Sequence, residues 1–266
     1  MKRFLLSFTA CFMLLVMCAG LATPAFADGS APVAENLELN TYRNTSVSGM
    51  LSAYDPENDV VSFEITTEPI KGDIQLEQNG AFVYTPREGK KGRDYFGYKA
   101  VDSQGNVSQE ATVIIRIAKQ KNKVKYSDME NRAGEYAAVT LSEKGIFTGE
   151  QIGASYHFGP DKEVSRGEFY SMCTLMADKA GGEEKISGDP GEAITKSEAA
   201  QLLNDTLELN DVEYIQLDHS GEEAVQACMN LSAVGIINDM PQAEEKLSRE
   251  AAALMLVQAL RIIENR

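Results

Sequence analysis

Two periodicities divide this chain. Between residues 28 and 118 apolar and polar positions alternate: Val61, Phe63 and Ile65 share a face, as do Phe82 with Tyr84, Phe96 with Tyr98 and Ala100, and Val113 with Ile115 and Ile117. Weaker alternation fits strands at 37–41, 46–51 and 74–76. Turn signals separate these runs at Asp55-Pro56-Glu57-Asn58, Gln78-Asn79-Gly80, Arg87-Glu88-Gly89 and Ser103-Gln104-Gly105-Asn106. Seven short strands in about 90 residues predict an antiparallel β-sandwich. From residue 126 the period lengthens to that of a helix. The segment between, 119–125, reads Lys-Gln-Lys-Asn-Lys-Val-Lys, either a linker or the solvated end of the last strand. Few contacts are expected between the two halves.

Within the helical half three stretches repeat one pattern: Val164-Ser165-Arg166-Gly167-Glu168, Ile194-Thr195-Lys196-Ser197-Glu198 and Leu247-Ser248-Arg249-Glu250-Ala251. Each is an aliphatic residue, a Ser or Thr able to cap a helix, then a cation. Apolar or small residues follow the cap at plus four and plus eight: Phe169 and Cys173, Ala199 and Leu203, Ala252 and Leu256. The cation is unexpected, because the first turn of a helix carries partial positive charge that opposes it by roughly 0.3–1 kcal/mol. Free N–H groups beside a cation suit an anion. On this reasoning Arg→Ala at 166 or 249 is expected to be nearly neutral for folding. The competing expectation is a surface pair between each cation and its own nearby acid, Glu168, Glu198 or Glu250.

These starts resemble the S-layer homology family, a bacterial cell-wall anchor. Its repeats run from an aromatic-x-Asp start through a helix to Gly-Ile-x-x-Gly, then a loop and a second helix opened by Thr-Arg-Ala-Glu. Here repeat 1 (126–180) reads Tyr126-Ser127-Asp128, a helix over 136–144, Gly145-Ile146-Phe147-Thr148-Gly149 and Ser165-Arg166-Gly167-Glu168. Repeat 3 (215–266) reads Leu217-Asp218, a helix over 222–233, Gly235-Ile236-Ile237-Asn238 and Ser248-Arg249. The middle repeat (186–209) keeps only its second half. The chain has no Trp, where the family's first helix opens on an aromatic-Ala pair; Tyr136-Ala137 stands there instead. Lys196 replaces the usual Arg and lacks its bidentate fork, and the acid of the third copy falls one position early, at Glu250.

The resemblance implies an all-α bundle over 126–266 that binds an anionic, often pyruvylated, wall polysaccharide. Its implied ligand-binding residues are Arg166, Arg249, Lys196, Asp128, Gly149, Ser165 and Tyr136. With so short a middle repeat, the bundle is expected to leave an apolar face open.

The sandwich, 28–118, resembles bacterial cadherin-like, immunoglobulin-type repeats. The resemblance rests on residues 80–86 (Gly-Ala-Phe-Val-Tyr-Thr-Pro), then Gly89, Gly92, Asp94, Phe96 and Tyr98, and on residues 101–106 (Val-Asp-Ser-Gln-Gly-Asn). Asp55, Glu57, Asp59 and Asp102, with Glu35, offer hard oxygen ligands of the kind calcium takes six to eight of. The same residues also describe an ordinary solvated turn. Arg87, Lys90, Lys91 and Arg93 read as a solvated loop.

Residues 1–27 have a basic start (Lys2, Arg3), an apolar run and a small-x-small exit at Ala25-Phe26-Ala27, the pattern of a secretory signal peptide. Its removal takes two of 25 cations and none of 40 acids, so the net charge passes from −15 to −17. That balance argues against nucleic acid and against anionic membranes. An anionic polymer must then be held by local charge against the overall field. Cys173 and Cys228, on the apolar stripes of their helices, are either buried thiols or a disulfide in an oxidising compartment. Neither His157 nor His219 stands in a metal-ligand spacing, and no phosphate loop or nucleophile elbow is present. The expectation is a binding protein, not an enzyme. It is a secreted protein of the bacterial cell wall or surface, anchored on a wall polysaccharide, with calcium the one cofactor considered. The alternative is an adhesin or assembly component in which the sandwich binds another surface protein and the helices are scaffold.

Overall fold

The computed structural model describes residues 29–58, 61–177, 188–211, 222–237, 240–242 and 244–265. Residues 1–28, with the expected signal peptide, and Asp59, Leu217, Asp218, His219, Asn238 and residues 178–187 lie outside the described residues.

The first half contains β1 (Val33–Ala34), β2 (Leu37–Tyr42), β3 (Val47–Met50), β4 (Ala53–Tyr54), β5 (Ser62–Thr67), β6 (Gly72–Leu76), β7 (Ala81–Pro86), β8 (Gly92–Val101) and β9 (Ala111–Ala118). They form a four-stranded sheet ordered β2-β9-β8-β5, a three-stranded sheet β3-β7-β6 and a short β1-β4 pair. Alternation places Phe96, Tyr98, Val113 and Ile115 of one sheet against Phe82 and Tyr84 of the other, all at most 2% exposed. Each such side chain contributes on the order of 1.5–3 kcal/mol by burial. Phe82 and Phe96 meet edge to face, with centroids 5.3 Å apart. A Cβ at Gly72 would lie 2.3 Å from the Tyr84 ring, so this strand position admits only glycine.

The expectation of a wholly antiparallel sandwich is corrected at one edge. β2 runs parallel to β9, with Leu37 beside Val113 and Tyr42 beside Ala118. Parallel neighbours need a long crossover, and here the intervening strands supply it. Among the described residues of this half nine strands form, two more than the alternation predicts, because β1 and β4 are two-residue segments too short to show a period.

The second half contains α1 (Glu135–Glu143), α2 (Arg166–Met176), α3 (Lys196–Leu207), α4 (Glu222–Ala233) and α5 (Arg249–Glu264). It is not all-α: the loop between α1 and α2 holds a hairpin, β10 (Glu150–Ile152) paired with β11 (Ser155–His157). The helices share one core around Met129, Leu141, Phe169, Leu203, Leu231 and Leu256, each fully buried. α1 packs on α5 and α4 on α3, so two second-half helices each hold a first-half helix. α2 has no such partner among the described residues, and its Leu175 is 57% exposed. Cys173 and Cys228 are free and buried; burial pushes the Cys173 thiol up to about 12, far from reactive.

The two halves are joined more closely than expected. At the start of α1, the Tyr136 N–H donates to Ser46 O (3.1 Å), and a Glu135 carboxylate oxygen accepts from Ser46 N (3.0 Å) and Asn131 N (3.2 Å). The Tyr136 ring packs on Tyr42, centroids 5.6 Å apart. Tyr136, a residue the resemblance assigns to polymer binding, is therefore a joint between sandwich and bundle. Burial raises the Glu135 carboxyl above its ordinary value, against the lowering effect of the bonds from Ser46 and Asn131. A carboxyl that holds its proton more tightly when folded stabilises below its unfolded value of about 4.5, and that contribution is lost as pH rises toward the folded value. Melting curves should show Glu135→Gln with a flatter pH dependence above pH 4.5 than the parent; an identical slope would refute the buried joint.

Candidate functional site: the ring of helix starts

The three repeated starts come together on one pseudo-threefold axis. Ser165, Thr195 and Ser248 are N-caps with almost one conformation, φ −77°, −80° and −78° and ψ 158°, 159° and 159°. Their hydroxyl oxygens accept from the backbone N–H groups of Glu168 (3.2 Å), Glu198 (3.1 Å) and Ala251 (3.2 Å). Each satisfies one of the orphan donors that a helix start leaves. Thr195 and Glu198 complete a reciprocal capping box.

The aliphatic residue before each cap lies on the axis. Val164, Ile194 and Leu247 are 0%, 3% and 0% exposed. Their backbones close a cycle: Ile194 N donates to Val164 O (2.9 Å), Leu247 N to Ile194 O (3.0 Å) and Val164 N to Leu247 O (2.9 Å). A second cycle surrounds the first, in which Arg166 N donates to Glu192 O (2.9 Å), Lys196 N to Glu245 O (2.7 Å) and Arg249 N to Lys162 O (2.9 Å). The middle repeat, short as it is, contributes a full third of this ring.

The cations follow the same rotation. Arg166 donates to Glu198 through Nη2 (2.7 Å) and Nε (3.2 Å), and to Glu192 through Nη1 (2.6 Å). Arg249 donates to Glu168 through Nη2 (3.0 Å) and to Phe158 O through Nη1 (3.0 Å), and stacks over Phe147 at 5.0 Å. Lys196 reaches Glu245 at 2.5 Å. Each cation thus pairs with an acid of the next repeat, not with the acid of its own helix. The one-residue shift of Glu250 has a consequence here: its carboxylate accepts from Arg132 (2.6 Å) and Gly134 N (2.9 Å), which leaves Lys196 to Glu245. These partners offset the opposition of the helix dipole, so the expectation that the cations are neutral for folding is corrected. Side-chain exposure is 15% for Arg166, 35% for Lys196 and 7% for Arg249. Arg249, its Nε buried without a partner among the described residues, is 7% exposed and acts as a structural lock.

The remaining expected site residues build repeat 1. Asp128 accepts from Phe158 N (3.0 Å) and Gly159 N (2.8 Å). Burial would raise its carboxyl, but these backbone bonds prevail and hold it below the usual range. Gly149 has φ +73°, and a Cβ there would lie 2.4 Å from His157 O, so both backbone freedom and space demand glycine. Tyr126 packs edge to face on Phe158, which packs likewise on Phe147 beneath Arg249. The aromatic-x-Asp start is thereby connected to the ring.

In the sandwich, Asp102 spends its carboxylate on its own turn, accepting from Gln104 N (2.9 Å), Asn106 N (2.7 Å) and Asn106 Nδ2 (2.8 Å). Asp55 accepts from Glu57 N (3.0 Å), and Glu35 accepts from Ser52 Oγ (2.7 Å). Among the described residues no group of three or more His, Cys, Asp or Glu side chains is arranged to hold a metal. No helix among them is long and apolar enough to cross a membrane. Sequence reasoning missed Arg132, Glu192 and Glu245; only the ring geometry reveals them.

No curated protein matches the chain in sequence. Several solved structures are similar over little more than a third of it. They include a sialic acid binding region of a Streptococcus sanguinis SK1 adhesin (18% identity, 37% of this chain and 31% of that one, TM-score 0.28). A variant of the SrpA adhesin from Streptococcus sanguinis gives 16% identity, 38% and 66% coverage and a TM-score of 0.30. An endo-fucoidan hydrolase of glycoside hydrolase family 107 gives 19%, 35% and 14% with a TM-score of 0.28. The chain spans less than a third of the length of the SK1 adhesin region and of the hydrolase, and likenesses this slight carry no function across. The family model that matches is that of the bacterial cadherin-like domain, and residues 29–119 are such a domain.

Proposed function

We propose that this chain is an exported protein of a bacterial surface that docks on an anionic wall polysaccharide through its helical half and carries the cadherin-like domain as spacer or display module. The observation that supports this reading is the closed ring of three helix starts, whose caps share one geometry and place a cation at the same position, partly exposed at Arg166 and Lys196. A carboxylate of the polymer would replace Glu192 at Arg166 or Glu245 at Lys196. Those acids have side chains 66% and 42% exposed, and exposed pairs are worth only about 0–1 kcal/mol. At Arg249 burial closes that exchange. The reading is of binding, not catalysis; calcium is not required by it.

The test is sedimentation of the mature chain with purified cell walls, before and after acid extraction of their secondary polymers. Retention on intact walls and release from extracted walls is expected. Equal retention on both, or none on either, would overturn the reading.

A further inference from the structure

The segment 119–125 is not a free linker. Its exposure alternates strictly, with Gln120, Asn122 and Val124 turned inward and Lys119, Lys121, Lys123 and Lys125 outward and exposed. The inward side is fastened. Asn122 N donates to Glu143 (2.5 Å), Asn122 Nδ2 to Ser142 Oγ (2.9 Å) and Gln120 Nε2 to Val124 O (2.7 Å). Val124 is 8% exposed in the helical core. The result is a strap fastened at the C-terminal end of α1 with four lysines on its outer face. The strap bends at Lys121 and Asn122, so the lysines lie along a curved outer face.

These cations differ from several of those in the helical half. Among the described residues none of the four forms an ion pair, whereas Lys144, Lys162 and Lys196 each hold an acid. The register of β8 on β9 pairs Gly92 with Ile117 and Arg93 with Arg116, which brings Lys90, Lys91 and Arg93 to the end of the sandwich where the strap begins. The surroundings are acidic: from residue 126 onward the chain carries 26 acids against 11 cations, and the strap carries four lysines and no acid. A row of uncompensated charge kept in such a field is the feature to be explained.

We infer that the strap is a binding row for a linear polyanion of the wall, of the phosphodiester-linked polyol class, and that Lys90, Lys91 and Arg93 extend it. The inference rests on the reading above that the chain docks on an anionic wall polymer, and it moves the main contact away from the internally paired helix starts. A flexible linear polymer can follow such a row, and lysine ammonium groups hold phosphodiester oxygens as point charges, without the planar fork that suits a carboxylate. A membrane surface is disfavoured because a plane would meet the whole negative field of the protein.

The experiment uses the mature full chain and a fluorescently labelled polyglycerol phosphate, read by anisotropy at several salt concentrations. Two variants remove equal charge: K119Q/K121Q/K123Q/K125Q on the strap, and K99Q/K144Q/K162Q/K246Q elsewhere. The strap variant should bind at least tenfold more weakly, with a salt dependence shallower by about three in the log–log slope and an unchanged melting temperature. The control variant should bind within about threefold of the parent. An unchanged strap variant, equal losses in both, or no binding by the parent would each overturn the inference. Loss confined to a separate K196Q variant, with the strap variant unchanged, would return the polymer to the helix starts and leave the broader reading standing. Stronger binding to phosphatidylglycerol vesicles than to the polymer would overturn it in favour of a membrane.

Discussion

Arg249→Ala should destabilise the bundle by about 3–4 kcal/mol, measured as a loss of unfolding free energy in denaturant. The side chain is 7% exposed and its partner Glu168 23%. Removing one member of a buried pair leaves the other charge uncompensated, at a cost of about 3–5 kcal/mol; the partial exposure of Glu168 places the expectation toward the lower end. The Phe158 carbonyl also loses its donor, and Phe147 loses the cation above its ring. Arg249→Lys should recover only part of the loss, because one ammonium cannot satisfy Glu168 and Phe158 O together in the fork geometry. Glu168→Gln in the Arg249→Ala background should cost little more, since the stranded carboxylate is gone. Full additivity of the two changes would mean that the pair is not coupled across the repeats.

Asp94→Ala should cost a comparable amount, about 3–5 kcal/mol, in the cadherin-like domain. Its carboxylate is 2% exposed and accepts from Ile70 N (3.1 Å), Lys71 N (2.8 Å) and the Tyr84 hydroxyl (2.8 Å). Hydrogen bonds to a charged group contribute about 1.5–3 kcal/mol each, and every donor left buried without a partner adds a desolvation penalty. Tyr84, fully buried, has its hydroxyl pushed upward in pKa by burial and by this carboxylate, so it serves only as a donor. Tyr84→Phe removes one of the three donors and should cost much less than Asp94→Ala. A loss under 1 kcal/mol for Asp94→Ala would show that the loop over 68–71 rearranges freely and that the carboxylate does not fix the domain's edge.

Both halves were legible in the sequence to different depths. Period-two alternation located Phe82, Tyr84, Phe96, Tyr98, Val113 and Ile115 in the core, but period is the same in parallel and antiparallel strands, so the direction of β2 against β9 was invisible. The caps Ser165, Thr195 and Ser248 were visible because their chemistry is local. Their cations were not assignable for the opposite reason. Glu168 lies two positions from Arg166 in sequence, yet the ring places it beside Arg249, 81 residues away. Nothing in spacing along one helix distinguishes its own acid from that of a neighbour on a threefold axis. The strap was hidden differently. Its alternation is plain, but Gln120 and Asn122 are polar, so the inward side carries no hydrophobic signal until Ser142 and Glu143 are seen to hold it. Tyr136 matched a family position, and only the packing of Tyr42 against it revealed a joint between domains.

The central claim is that this chain holds an anionic polymer of the bacterial wall, and direct titration tests it most closely. The polymer released from purified walls would be titrated into the mature chain in a calorimeter at two or three salt concentrations. Saturable binding that weakens steeply as salt rises is predicted, and soluble polymer should compete the chain off intact walls. Heat-silent mixing with no competition, or binding indifferent to salt, would contradict the account.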